Sequence, residues 1–139
     1  MSSDLPAYHS VLVIDDHNMV VISLRLLIGH HFEAFHHTRN GAAGVELAIK
    51  VQPQLVIVDN QLPDVAGDVV VRQIKSRCPQ SRVLGYSFTM NGEAIRKMYD
   101  AGVDGYVDKS EPDTELNKAV EELMSGKAYF SKEARGHMY

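Results

Sequence analysis

Short apolar runs rich in β-branched residues alternate along this chain with amphipathic stretches. The runs fall at residues 11–15, 32–36, 55–59, 82–87 and 104–107. Runs of this length predict strands buried on both faces, as in a parallel sheet covered by helices. Between them, apolar residues recur at helical spacing. The first helix is expected from about Asn18 to Ile28, ending before Gly29. The second follows Asn40-Gly41 and carries Val45, Leu47, Ala48 and Val51. The third follows Pro63-Asp64 and carries Val65, Val69, Val70 and Ile74. The fourth carries Ala94, Ile95 and Met98 and stops at Gly102. The fifth opens at Pro112, carries Leu116, Ala119, Val120, Leu123 and Met124, and closes at Gly126. Gly29, Gly102 and Gly126 stand where a helix needs a left-handed residue to stop. Pro112 suits a first helical turn, where a missing N–H costs little. Strict alternation implies parallel strands joined by right-handed crossovers. The expectation is an α/β three-layer sandwich, a five-stranded parallel sheet with five helices. Beyond Gly126, residues 127–130 read as a short extended piece and 131–139 as the start of a helix or a linker.

Composition narrows the class. A chain of 139 residues is enough for one compact domain with a tail. Its 45% hydrophobic and 23% charged residues are ordinary for a globular protein. No apolar stretch approaches the roughly 20 residues of a membrane span. The start, Met1-Ser2-Ser3-Asp4-Leu5-Pro6, shows no secretory signal, so a cytoplasmic location is expected. A formal net charge of −4 argues against nucleic-acid binding by this segment alone. Cys78 is the only cysteine, which excludes an intramolecular disulfide and a cysteine metal cluster. The pairs His30-His31 and His36-His37 resemble metal ligands, but adjacent strand residues point to opposite faces and make no natural chelate. His17 follows an acid pair and either lines a pocket edge or begins a helix.

The polar residues fall at the strand ends. Asp15 and Asp16 end the first run, Asp59 the third, Ser87 the fourth, and Lys109 follows the fifth. Open parallel sheets bind ligands outside the carboxyl ends of their strands. Acids gathered there repel one another unless a cation sits among them, and Mg²⁺ favours such oxygen ligands. Three carboxylates, a hydroxyl and an ammonium on one rim suit phosphoryl transfer to a carboxylate. In that reading Asp16 and Asp59 hold Mg²⁺, with Asp15 assisting. Lys109 pairs with a phosphoryl oxygen, and Ser87 donates a hydrogen bond once the group arrives.

The sequences Ile14-Asp15-Asp16-His17, Val58-Asp59, Leu62-Pro63-Asp64 with Gly67, Tyr86-Ser87 and Ala101-Gly102-Val103-Asp104-Gly105-Tyr106-Val107-Asp108-Lys109 together resemble the response regulator receiver domain. The likeness covers residues 10–126. The Asp-Asp-His opening, the Asp-Gly-Tyr before Lys109 and the tail Gly126-Lys127-Ala128-Tyr129-Phe130-Ser131 resemble the subfamily whose receiver precedes a helix-turn-helix DNA-binding domain. The resemblance implies flavodoxin-like strand order 2-1-3-4-5, a receiver at residues 1–126 and a linker at 127–139. It implies a two-component signalling module, not an enzyme in the ordinary sense. Asp59 would accept phosphate from a sensor histidine kinase or phosphotransfer protein. Asp15, Asp16 and Asp59 would bind Mg²⁺, joined by the backbone carbonyl of Gln61. Ser87 and Tyr106 would form the switch, Tyr106 turning inward once Ser87 moves. The response would appear on the face of the fourth helix, fifth strand and fifth helix, controlling an output such as transcription. A homodimer is a possible partner state, and DNA would be reached only through a further C-terminal domain.

The chain departs from the family pattern at several positions. Phe88 stands where the family usually has a small residue; its ring either crowds the phosphoryl group and slows exchange, or packs against the fourth helix. Ser110 replaces the proline that many receivers carry after a cis bond, so the loop is expected to be trans or strained. Asn60-Gln61 is less apolar than usual, Gly85-Tyr86 puts a large ring late in strand four, and Asp108 adds charge beside Lys109. Other readings weigh less. A phosphatase using an aspartyl-phosphate would want an acid where Gln61 stands. A flavin-binding domain would want a phosphate loop where the first acids stand. A phosphorylation-independent interaction module is the alternative that Phe88 keeps open.

Overall fold

The computed structural model describes residues 5–88 and 91–138. Residues 1–4, within the start read above as carrying no signal, and Tyr139, the end of the expected tail, lie outside them. Alternate residues of the central strands leave the sheet on opposite faces. Leu12 and Ile14 of β1 (Tyr8–Ile14) and Val56 and Val58 of β3 (Leu55–Val58) enter one core. Val11, Val13, Leu55 and Ile57 enter the other. The first core is closed by α2 (Gly41–Val51), α3 (Gly67–Arg77) and α4 (Gly92–Ala101), through Ala48, Val70, Val71, Ile74, Ile95 and Met98. The second is closed by α1 (Asn18–Ile28) and α5 (Asp113–Met124), through Val21, Leu24, Ile28, Leu116, Val120 and Leu123. Helices on both faces make the parallel sheet the middle of three layers.

With β2 (Phe32–Thr38), β4 (Arg82–Ser87), β5 (Gly105–Asp108) and β6 (Tyr129–Phe130), the sheet order is β2-β1-β3-β4-β5-β6, all parallel. The expected order of five strands is present, and among the described residues the count is corrected to six strands and six α-helices. The addition satisfies the outer edge of β5. Tyr129 donates its N–H to Asp104 O (3.2 Å) and Ser131 to Tyr106 O (3.0 Å). In the stretch expected as the start of a helix or a linker, α6 (Lys132–Met138) follows β6 and buries Ala134 in the first core. The Phe130 ring meets Tyr99 edge-on at 5.6 Å, and Arg96 donates to Met138 O at 2.7 Å, so this segment rests on α4.

Two glycine expectations need separating. Gly102 and Gly126 do take left-handed backbone, with φ of 111° and 86°. Gly29 does not: at φ −57° it stays right-handed, and the chain continues as a 3-10 turn over Gly29–His31. That turn also corrects the reading of His30 and His31, whose rings are neighbours at 4.0 Å and not on opposite faces of a strand. Burial, with His30 alongside, lowers the His31 pKa. The helix that does need a left-handed stop without glycine is α2, which ends on Gln52 at φ 53°. Pro112 is the residue just before α5, one position earlier than expected. Among the described residues, no helix is long and apolar enough to cross a membrane.

Candidate functional site

Strand register decides which side chains meet. Ile14 pairs with Val58, Val58 with Gly85, and Gly85 with Tyr106. Parallel strands aligned this way release their next residues at one edge. The ladder runs one step further, with Asp59 N–H on Ile14 O (3.0 Å) and Lys109 N–H on Ser87 O (2.9 Å). Asp15, Asp16, Asp59, Ser87 and Lys109 therefore share a rim, as the sequence predicts. Behind Asp59, α3 comes very close. A Cβ on Gly67 would stand 2.6 Å from Asp59 O, so only glycine lets this helix start there.

Lys109 is the buried cation of the rim. Its Nζ lies 2.7 Å from Asp15 Oδ2 and 3.1 Å from Asp59 Oδ2, with all three side chains at most 3% exposed. Buried carboxylates need such a partner, because desolvation penalises unpaired charge. Asp59 Oδ1 also accepts the Gln61 N–H at 3.1 Å. Asp16 is the more open acid, with its side chain 36% exposed. His17, directly before α1, brings Nδ1 to 2.8 Å from Asp15 Oδ1, 3.2 Å from Asp59 Oδ2 and 3.4 Å from Asp16 Oδ1. It thus both begins a helix and lines the pocket. His37 Nε2 meets the Asp15 carbonyl at 2.9 Å and fixes the same segment from β2. Among the described residues, Asp15, Asp16, His17 and Asp59 form the one group of three or more potential ligands close enough to share a metal ion. Their carboxylate oxygens are the donor chemistry that a small hard divalent cation takes.

Tyr106 is the other half of the expected switch pair. Its ring is already inside the molecule, fully buried. Gly85 makes the room: a Cβ there would lie 2.5 Å from Tyr106 Cδ2. The Ser87 and Asn60 side chains lie beside the hydroxyl, which among the described residues has no partner in full hydrogen-bond geometry, and burial raises its pKa far above the ordinary phenol value. Ser87 itself is buried at the end of β4. Next to it, the Tyr86 hydroxyl is pushed up to about 12, by burial first and then by the charges of Asp113, Asp15 and Asp108.

Phe88 stays on the surface, 60% exposed. Its ring centroid lies 5.3 Å from Lys109 Nζ, within cation–π range, and it lines a cleft with Met19, Val20, Tyr86 and Asp113 on the α1 side. Asp108 is buried at the end of β5. It accepts the Ser110 N–H at 2.8 Å and the Ser110 hydroxyl, tying down a loop whose peptide bonds are all trans. Sequence reasoning missed the three-way contact of His17, for which its place beside the acid pair was the available signal. It also missed Asp64. That carboxylate accepts the N–H groups of Gly41 (2.8 Å) and Ala42 (2.9 Å) at the start of α2. Those bonds, Ala42's first, hold its pKa below the usual value.

A family model for the response regulator receiver domain matches residues 11–121. The chain is 31% identical over 125 residues to the transcriptional activator protein ExaE of Pseudomonas putida, covering 88% of this chain and 58% of that protein. It is 32% identical over 124 residues to the virulence factors putative positive transcription regulator BvgA of Bordetella pertussis, covering 88% and 59%. The nitrate/nitrite response regulator protein NarL of Escherichia coli is 27% identical over 134 residues, covering 95% and 61%. The chain thus spans about three-fifths of the curated relatives it matches. Among solved structures, a LuxR-family two-component response regulator from an Aurantimonas species superposes with a TM-score of 0.87 at 24% identity, covering 94% of this chain and 95% of that one. The isolated receiver domain of RcsB from Salmonella enterica, solved with the phosphomimetic BeF₃⁻, gives 0.83 at 20% identity, covering 95% and 99%. At these identities the structural likeness speaks for the fold alone.

Proposed function

Since the chain belongs to the response regulator receiver family, we propose that it is the phospho-acceptor module of a two-component pathway, with Asp59 as the acceptor. An Asp59 carboxylate oxygen attacks the phosphorus of a phosphohistidine carried by a sensor histidine kinase or phosphotransfer protein. The new O–P bond forms as the P–N bond breaks, and the donor imidazole leaves with the electron pair. Asp15, Asp16, Asp59 and the Gln61 carbonyl are the proposed ligands of Mg²⁺, which when bound neutralises charge on the phosphoryl oxygens. Lys109 leaves its pairing with Asp59 Oδ2 to meet a phosphoryl oxygen, and Ser87 donates its hydroxyl to another. Phe88, beside Lys109, narrows access for water and donors. The proposed consequence is an altered surface around α4, β5 and α5 that controls an output such as transcription. DNA would be reached through a further domain, and a homodimer is one form the output could take. The observation carrying this reading is Lys109 Nζ held between Asp15 and Asp59 on a rim that also carries Asp16.

Incubation with Mg²⁺ and a small phosphodonor, or with a phosphorylated cognate kinase, is expected to add the mass of one phosphate. Asp59→Asn is expected to add none. An unlabelled parent with both donors, or equal labelling of the variant, would defeat the assignment. A second reading, a phosphorylation-independent interaction module, draws support from Tyr106 already lying inside. It predicts that Asp59→Asn binds the output partner as the parent does, with or without phosphodonor.

A further inference from the structure

Three carboxylate oxygens surround one imidazole nitrogen at the rim. His17 Nδ1 lies 2.8, 3.2 and 3.4 Å from oxygens of Asp15, Asp59 and Asp16, and the four ligand atoms sit within 4.8 Å of one another. A small divalent cation holds its ligands at about 2.0–2.1 Å, so neighbours around one octahedral ion stand roughly 3 Å apart. The imidazole nitrogen therefore has the spacing of a coordination neighbour to all three acids at once. The backbone keeps it there. His17 is extended, with φ −93° and ψ 104°, where α1 begins, and its own N–H donates to Asp15 Oδ1 at 2.9 Å. Half of the side chain is open to solvent, so the ring needs no rearrangement of the core to adjust by a few tenths of an ångström.

We infer that His17 is a nitrogen ligand of the rim cation, through Nδ1 with its proton on Nε2, and that it biases the site toward a first-row transition ion such as Mn²⁺ over Mg²⁺. The inference rests on the acid rim being a cation site, as proposed above. Its chemical ground is ligand preference. Carboxylate and carbonyl oxygens suit Mg²⁺ and Mn²⁺ alike, whereas imidazole adds affinity for transition ions and little for Mg²⁺. The rival role for the same geometry is an N–H donor to the acids, which a cation would have to displace.

The two roles give opposite results. Mn²⁺ and Mg²⁺ are titrated calorimetrically into the full chain and into His17→Asn and His17→Ala, and the Mn²⁺ complexes are examined by pulsed electron paramagnetic resonance for ¹⁴N coupling. Thermal unfolding of the variants checks that they are folded, and His37→Asn controls for the other nearby ring. The expected result is directly coordinated nitrogen in the parent and in His37→Asn, lost in both His17 variants. Mn²⁺ affinity should fall at least about tenfold in those variants, the low end for groups that merely support a ligand, with Mg²⁺ affinity nearly unchanged. Mn²⁺ binding to the parent without nitrogen coupling would overturn the inference while leaving the phospho-acceptor reading intact, and needs no variant. Tighter Mn²⁺ binding by the His17 variants would overturn it likewise. Failure of both ions to bind the parent would overturn both readings.

Discussion

A buried phenol without a hydrogen-bond partner carries its desolvation cost uncompensated, roughly 1–3 kcal/mol. Among the described residues Tyr106 is such a phenol, and the space it fills exists because residue 85 on the neighbouring strand has no side chain. Tyr106→Phe is therefore expected to leave stability unchanged or raise it by about 1 kcal/mol in denaturant unfolding. A clear loss would mean that the hydroxyl is paired after all. Gly85→Ala should act in the opposite direction, because its methyl would stand 2.5 and 2.9 Å from two ring carbons of Tyr106. Overpacking of that kind costs about 1–3 kcal/mol. In the double variant with Tyr106→Ala most of that loss should disappear relative to Tyr106→Ala alone, since the close neighbour left to the methyl is the flexible end of Met98, 3.2 Å away. A loss that persists in the double variant would place the strain elsewhere than at this ring.

Helix and strand ends carry the next level of control. At the start of α2, Asn40 accepts the Ala43 N–H at 2.9 Å while Asp64 takes those of Gly41 and Ala42, so the exposed donors of the first turn are filled from two elements. The folded pKa of Asp64 lies below its ordinary 3.8, so its contribution is complete above that value and disappears as pH falls through the folded pKa. Asp64→Asn should therefore melt below the parent at neutral pH, and the gap should close as pH drops beneath about 4. A gap that widens in acid would reverse the assignment. Ending the chain at Gly126 should remove β6 and α6, uncover the edge of β5, and lower the melting temperature by at least about 5 °C. An unchanged melt would show that the tail adds no stability. The five apolar runs and five amphipathic stretches were legible because each signal is contained within its own segment. β6 was legible only as a short extended piece, since two residues carry no period and Tyr129–Phe130 joins the sheet only through pairing with Gly105 and Tyr106. Gly29 was misjudged for a related reason: a glycine after a helix permits a left-handed turn without requiring one.

The candidate site shows the same division over the whole molecule. Asp15, Asp16, Asp59, Ser87 and Lys109 could be assigned to one rim from sequence, because parallel strands must release their ends on one side. The inward Tyr106 and the triple contact of His17 could not, because both depend on register between strands far apart in the chain. What the assembled rim holds is an excess of negative charge: three carboxylates face one buried ammonium, in a chain whose formal net charge is −4. Such a rim opposes folding by self-repulsion and favours any cation that joins it. A ligand that binds only the folded state stabilises it by RT ln(1 + [L]/Kd), about 2.7 kcal/mol at a hundredfold excess over Kd. Moving the full chain from chelator into millimolar Mg²⁺ should therefore raise its melting temperature, and the rise should continue with the logarithm of concentration. Asp16 is the acid to remove, because it is the most exposed of the three and its loss leaves the Asp15–Lys109–Asp59 contacts in place. Asp16→Asn is expected to melt at or above the parent in chelator, where one repulsive charge is gone. It should need a much higher cation concentration for the same rise. An equal response of parent and variant would move the cation away from this rim.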